Sequence, residues 1–225
     1  MTKNENKEYI AELILGKETD TYDVTGKVIK KKKVKTHTFE EVDEALHSFV
    51  GKIKQTPPIY SAIKVNGKPL YKYAREKKDI KVKPRTQIIY DVRLMAFKKD
   101  HIYFYVKCNK GTYIRSLAVD LAHKLNEVGY LNNLERIAIG NYKIANVKKV
   151  NDITDEHIID LVDALKIKKV NYPDKKKIMN GSPIKLNVKD ELVLIIHQNK
   201  ALALYELNKS DMLYYCKRGF RYENI

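Results

Sequence analysis

Residues 8–16, EYIAELILG, alternate weakly between apolar and polar side chains, the period of a strand with one buried face. A turn-rich TDTYDVTG follows, and then KVIKKKKVK (27–35), a second strand whose basic side chains are too dense for burial. At residue 38 the period changes. Thr38 and Glu41 have capping-box spacing, FEEVDEALHSFV carries apolar residues at helical intervals, and Gly51 closes that helix. Residues 54–78 combine a Pro-Pro pair, a short β-rich run, an Asn-Gly turn and a Tyr-rich basic helix. RTQIIYDVRLMAF and HIYFYVKCN, joined by a short polar turn, read as a hairpin of long strands. The helix TYIRSLAVDLAHKLN comes next, then YLNNLERIAIGNYKI as a turn of helix running into a strand. TDEHIIDLVDAL reads as a helix capped by Thr154. Past residue 168 a linker with a short helical piece leads into three β-rich runs (191–197, 200–207 and 212–216). The pattern predicts an α+β fold, a mixed, largely antiparallel sheet flanked by helices over 1–167, with a small β-rich domain over 168–225.

Charge sharpens this picture. The 225 residues hold 44 Lys+Arg against 28 Asp+Glu, a formal net charge of +16, which favours a polyanionic partner through counterion release. A generally lysine-rich composition gives the same number without any message. Cys108 and Cys216 are far apart in apolar contexts, which suits a reducing cytosol, and the six histidines form no HxH or HxxxH pair. A metal site is not expected. No apolar run has the length of a membrane span and the N-terminus is polar, so a soluble, cytoplasmic protein is expected.

The candidate chemistry gathers at CNKGTYIRSLAVDL (108–121), where a strand meets a helix. Thr112 is a good N-cap type, but capping needs neither the aromatic nor the cation beside it. The helix dipole mildly disfavours Arg115 in the first turn, so an anion is expected to hold it; the alternative is an ordinary helix-surface cation. Tyr113 is either a stacking platform for an unpaired base or core packing at the helix start. Tyr60, Tyr71 and Tyr73 interleave with Lys64, Lys68, Lys72 and Arg75, which suits a single-stranded or loop RNA surface, or else a helix covering a sheet. Asp20 and Asp23 lie in a Thr-rich segment and read as turn residues rather than as an acid pair. The chain has no Ser-His-Asp context, no P-loop and no GxGxxG.

Four segments, KEYIAELILGKETDTYDVTGKV, IYSAIKVNGKPLYKYAR, CNKGTYIRSLAVDLAHKL and LERIAIGNY, together resemble the bacterial tRNA pseudouridine synthases of the B type, in that family's order and over most of residues 7–145. MNGSPI echoes the family's small RNA-binding domain, which is PUA-like. The resemblance implies a pseudouridine synthase-like fold that isomerises the uridine of the TΨC loop in tRNA, with no cofactor. The partner it implies is the T-arm of tRNA; neither a membrane nor a metal is involved, and a monomer is compatible with it. Tyr9 matches a residue stacking on the target base, Tyr113 a substrate-contacting tyrosine, Leu134 an apolar contact, and Arg115 the arginine paired with the catalytic aspartate. That aspartate stands in a Gly-Thr-Leu-Asp-Pro type motif, which these 225 residues do not contain. It is expected upstream, and Arg115 is expected to lack a carboxylate partner. A non-catalytic tRNA-binding fragment or tRNA-folding helper uses the same residues. A ribosomal RNA-binder needs only the charge and the tyrosines, and leaves the four ordered segments unexplained.

Overall fold

The computed structural model describes residues 6–76, 78 and 80–220. They form two compact units that divide between Val147 and Lys148. In the first, the strands are β1 (Lys7–Leu15), β2 (Lys17–Thr19), β3 (Val28–Lys31), β4 (Gly51–Gln55), β5 (Lys64–Val65), β6 (Lys68–Pro69), β7 (Arg85–Lys98), β8 (His101–Cys108), β9 (Gly129–Ile139) and β10 (Tyr142–Lys143). The helices are α1 (Phe39–His47), α2 (Leu70–Arg75) and α3 (Ile114–Lys124). Six strands form one sheet in the order β10-β9-β1-β8-β7-β4, with every neighbour antiparallel.

The alternation seen in the sequence explains the core. Ala11, Leu13 and Leu15 of β1 and Ile102, Phe104, Val106 and Cys108 of β8 point to one face, against Val42 and Leu46 of α1 and Leu117 and Leu121 of α3. α1 starts at the expected capping box, with Thr38 accepting from the Glu41 amide and Glu41 from the Thr38 amide. Asn109 ends β8 by imitating a strand. Its backbone N–H donates to the Ile88 carbonyl, and its side-chain oxygen accepts from the Ile88 amide at 2.9 Å.

The second unit holds α4 (Leu161–Ala164), β11 (Lys168–Asn171), α5 (Lys175–Met179), β12 (Leu192–His197), β13 (Lys200–Asn208) and β14 (Leu213–Gly219). Its sheet runs β11-β12-β13-β14, and β11 and β12 are parallel. The domain boundary expected at 167/168 lies at 147/148 instead. Val162 and Leu165 pack on Leu194 and Ala201, so the segment before residue 168 serves the core of the second unit.

Two local expectations are also corrected. Residues 129–139 are one continuous strand, because pairing with β1 along its length satisfies the backbone that a helical turn would otherwise use. The helix expected over 154–165 is reduced to a 3-10 turn at Asp155–His157 and the four residues of α4. Ile158 and Ile159 are 70% and 55% exposed, so no apolar stripe is buried to sustain a longer helix.

Candidate active site

The strand-to-helix joint before α3 lacks the local cap its sequence suggests. Thr112 turns back, its hydroxyl donating to the carbonyl and side-chain oxygens of Asn109 at 3.1 and 2.8 Å. The N-cap is Tyr113, in extended backbone with no side-chain cap of its own. A distant residue takes over. The Tyr113 N–H donates to Gln55 Oε1 at 2.7 Å, and Gln55 Nε2 donates to the Tyr113 carbonyl at 3.0 Å. One turn on, the Ser116 hydroxyl donates to the Thr56 carbonyl at 3.1 Å.

Arg115 is held at three points. Its Nη1 donates to the Thr21 carbonyl at 3.1 Å and to Asp23 Oδ2 at 3.0 Å, and its Nη2 donates to the Tyr60 carbonyl at 2.9 Å. The expected unpaired guanidinium is therefore corrected: Asp23 supplies a carboxylate from within the chain. The turn reading of Asp23 holds as well. Its Oδ1 accepts from the Thr21 hydroxyl and from the Thr25 amide and hydroxyl, while Asp20 Oδ1 accepts from the Lys27 amide. Burial pushes the Asp23 carboxyl up, but the two threonine hydroxyls, the Thr25 amide and the Arg115 charge outweigh it and hold it below its ordinary value. Tyr22 sits at φ 63°, a left-handed conformation unusual for a bulky side chain. Its carbonyl accepts from the Leu131 amide, and the Val24 amide donates to the Leu131 carbonyl, so the turn is sewn to β9.

Tyr9 and Leu134 lie on the helix-side face of neighbouring strands, Tyr9 opposite Arg136 and Leu134 opposite Ala11. Tyr9 packs on the core, and its phenol is raised by burial and by Cys108 against the lowering influence of Arg136. Leu134 is 40% exposed. The basic-aromatic residues form a separate arm of β5, β6 and α2. Its base is set by buried Leu70, whose amide donates to the Ile63 carbonyl, and by the Tyr71 amide donating to the Ser61 carbonyl. On the arm Lys68 pairs with Glu76 and lies 4.9 Å from the Tyr73 ring centroid, Arg75 lies 5.5 Å from that of Tyr71, and Lys64 and Lys72 are exposed. Tyr60 joins the arm to Arg115 through its backbone.

The structure thus brings Arg115, Tyr113 and Tyr60 to one joint with Asp23, puts Tyr9 and Leu134 on the adjoining strands, and leaves Lys64, Lys68, Tyr71, Lys72 and Arg75 on the arm. Sequence reasoning missed Gln55 and the pairing role of Asp23. Among the described residues no group of three His, Cys, Asp or Glu side chains could hold a metal ion, and no helix is long and apolar enough to cross a membrane.

The TruB family pseudouridylate synthase (N terminal domain) pattern matches residues 1–114. The tRNA pseudouridine synthase B of Mycoplasma mycoides subsp. mycoides SC is 37% identical over 224 residues, covering 96% of this chain and 76% of that protein. That of Lactobacillus acidophilus is 37% identical over 219 residues, covering 89% and 73%. Among solved structures, a chain of a Cbf5-Nop10-Gar1 complex superposes with a TM-score of 0.63 at 18% identity, over 96% of this chain and 66% of that one. A chain of an H/ACA RNP bound to a substrate RNA containing 2'-deoxyuridine gives 0.62 at 17% identity, over 97% and 67%. At those identities the likeness is one of fold. The fold is that of the pseudouridine synthases. The chain belongs to the TruB family, whose members isomerise uridine to pseudouridine.

Proposed function

We propose that this chain holds the uridine of the TΨC loop of a tRNA, in the cytoplasm, for isomerisation to pseudouridine. The observation that supports it most is the placement of Tyr9 and Leu134 on one face of the neighbouring strands β1 and β9, beside a core whose helix α3 starts at Tyr113 and Arg115. In the reaction the uracil leaves C1′ as the C1′–N1 bond breaks, turns, and bonds C1′ through C5, with the C5 proton lost and N1 regaining one. The target base has to be turned out of the folded loop to react. Tyr9 offers it an aromatic face, Leu134 an apolar wall, and Arg115 a fixed fork for a carboxylate.

Asp23 is ill suited to be the nucleophile. Its Oδ1 already accepts three hydrogen bonds and its Oδ2 faces Arg115. The same engagement of Asp23 favours the second reading, a tRNA-binding role without chemistry, because Arg115 is already compensated here.

In either case the arm binds the phosphate backbone of the T-arm. Replacing Lys68 and Lys72 together by Gln is expected to weaken binding of a T-arm hairpin and to reduce the salt slope by about 2, one for each phosphate no longer neutralised. An unchanged slope removes the arm from the interface.

A further inference from the structure

Gln55 is 2% exposed, and its carboxamide has the Tyr113 peptide as its partner on both atoms. We infer that Gln55 is a positioning residue that aims the Tyr113 side chain at the target nucleotide, an inference that rests on the proposed isomerisation and on the substrate contact that the family resemblance implies for Tyr113.

The local geometry carries it. Tyr113 sits at φ −97° and ψ 107°, while the next residue is already helical. Nothing in its own sequence holds it there, since Thr112 bonds backward to Asn109 and tyrosine has no short acceptor to cap its own helix. Left to itself, such a residue can join the helix as one more αR residue. That would swing its Cα–Cβ bond toward the helix N-terminus and onto a different face. The carboxamide forbids this by fixing both polar groups of one residue: Oε1 holds the N–H, and Nε2 holds the carbonyl that also accepts from the Leu117 amide at 3.0 Å. The clamp is itself rigid. Gln55 is the last residue of β4, paired with Arg85, and Pro57 and Pro58 beyond Thr56 are buried and restrict the backbone to extended conformations. The contact spans 58 residues of chain, so it is a tertiary substitute for a cap.

The test compares the affinity of the full chain for two T-arm hairpins, one with the target uridine and one abasic at that position. The ratio reads the pocket and is insensitive to a general loss of stability. The wild type is expected to favour the uridine hairpin by about tenfold or more, the worth of one stacked base, and Tyr113→Ala to set the floor. Gln55→Met keeps the length without the hydrogen bonds and is expected to bring the ratio down to that floor. Gln55→Glu keeps the acceptor alone and is expected to fall between, and it carries the test if the methionine variant does not fold. Ser116→Ala removes the neighbouring tie and is expected to lower the amide-exchange protection of α3 while leaving the ratio at the wild-type value. A folded Gln55→Met or Gln55→Glu with a wild-type ratio, beside a lowered ratio in Tyr113→Ala, overturns the inference and leaves the role of Tyr113 standing. A collapse in Ser116→Ala equal to that in Gln55→Met also overturns it, by showing a general loosening of the joint. A wild type that does not distinguish the hairpins, with Tyr113→Ala unchanged, overturns both.

Discussion

Replacing Asp23 by Asn isolates the ion pair at the centre of the site. The amide keeps an oxygen for Thr21 and Thr25, but it presents an NH2 to Arg115 Nη1, donor against donor, where the carboxylate stood at 3.0 Å. Both side chains are 24% exposed. Fully exposed pairs are worth about 0.2–1 kcal/mol, and removing one partner of a fully buried pair costs about 3–5 kcal/mol. A pair exposed to this degree belongs between those limits, at about 2 kcal/mol for Asp23→Asn. With Arg115→Met already present there is no cation to strand, and the same change should cost about 0.5 kcal/mol, giving a coupling of about 1.5 kcal/mol.

Because the chain has two units, a single unfolding midpoint would blend them. Amide hydrogen exchange at Leu117 and Leu121 of α3 instead reports opening of the unit that contains the pair. The coupling should appear as roughly a tenfold difference in protection across the four proteins of the cycle. A coupling below about 0.5 kcal/mol would mean that Asp23 does not hold Arg115, which would then rest on the Thr21 and Tyr60 carbonyls alone.

Two further predictions concern the same turn. The Asp23 carboxyl is held below its ordinary 3.8, so its contribution is complete above that value and is lost as pH falls through the lower folded value. Protection of the Leu117 and Leu121 amides, followed against pH, should show a shallower acid limb in Asp23→Asn than in the wild type, though not a flat one, because Glu12 and Glu127 are also lowered and keep their own contributions. Identical limbs would contradict the shift. Gly26→Ala would put a Cβ 2.3 Å from Thr21 Oγ1 and 2.7 Å from Asp20 Oδ1, so the turn has to move. A loss of about 1–3 kcal/mol is expected in the exchange of α3, with weaker T-arm binding, and wild-type protection would show that the turn absorbs the methyl without moving Arg115.

The strands and the first helix were legible because their signals are local: alternation in EYIAELILG and HIYFYVKCN, and a capping box that needs only Thr38 and Glu41. The stretch 130–144 misled because its mixed pattern becomes a strand only once β1 lies beside it. Helical spacing in 154–165 misled in the opposite way, since periodicity without a surface to bury it does not make a helix. At the site, Arg115 and Tyr113 could be singled out as residues that capping does not require. Their partners could not, because Asp23 is 92 residues from Arg115 and Gln55 is 58 from Tyr113. A glutamine ending a strand before two prolines carries no mark of burial, and an aspartate among threonines is fully explained by its turn. What pairs with what at this joint is a product of the sheet order, which brings β4, the 19–26 turn and the start of α3 together.

If the protein serves uridine isomerisation in the TΨC loop, tritium is released from C5 of that uridine. The protein, purified as its own host produces it, is incubated with a tRNA transcript labelled at C5 of uridine. Release of one tritium per tRNA is expected, abolished when the TΨC-loop uridine is replaced by cytidine and when Arg115 is replaced by Ala. No release from a tRNA that the protein demonstrably binds would contradict that role and assign these residues to binding alone.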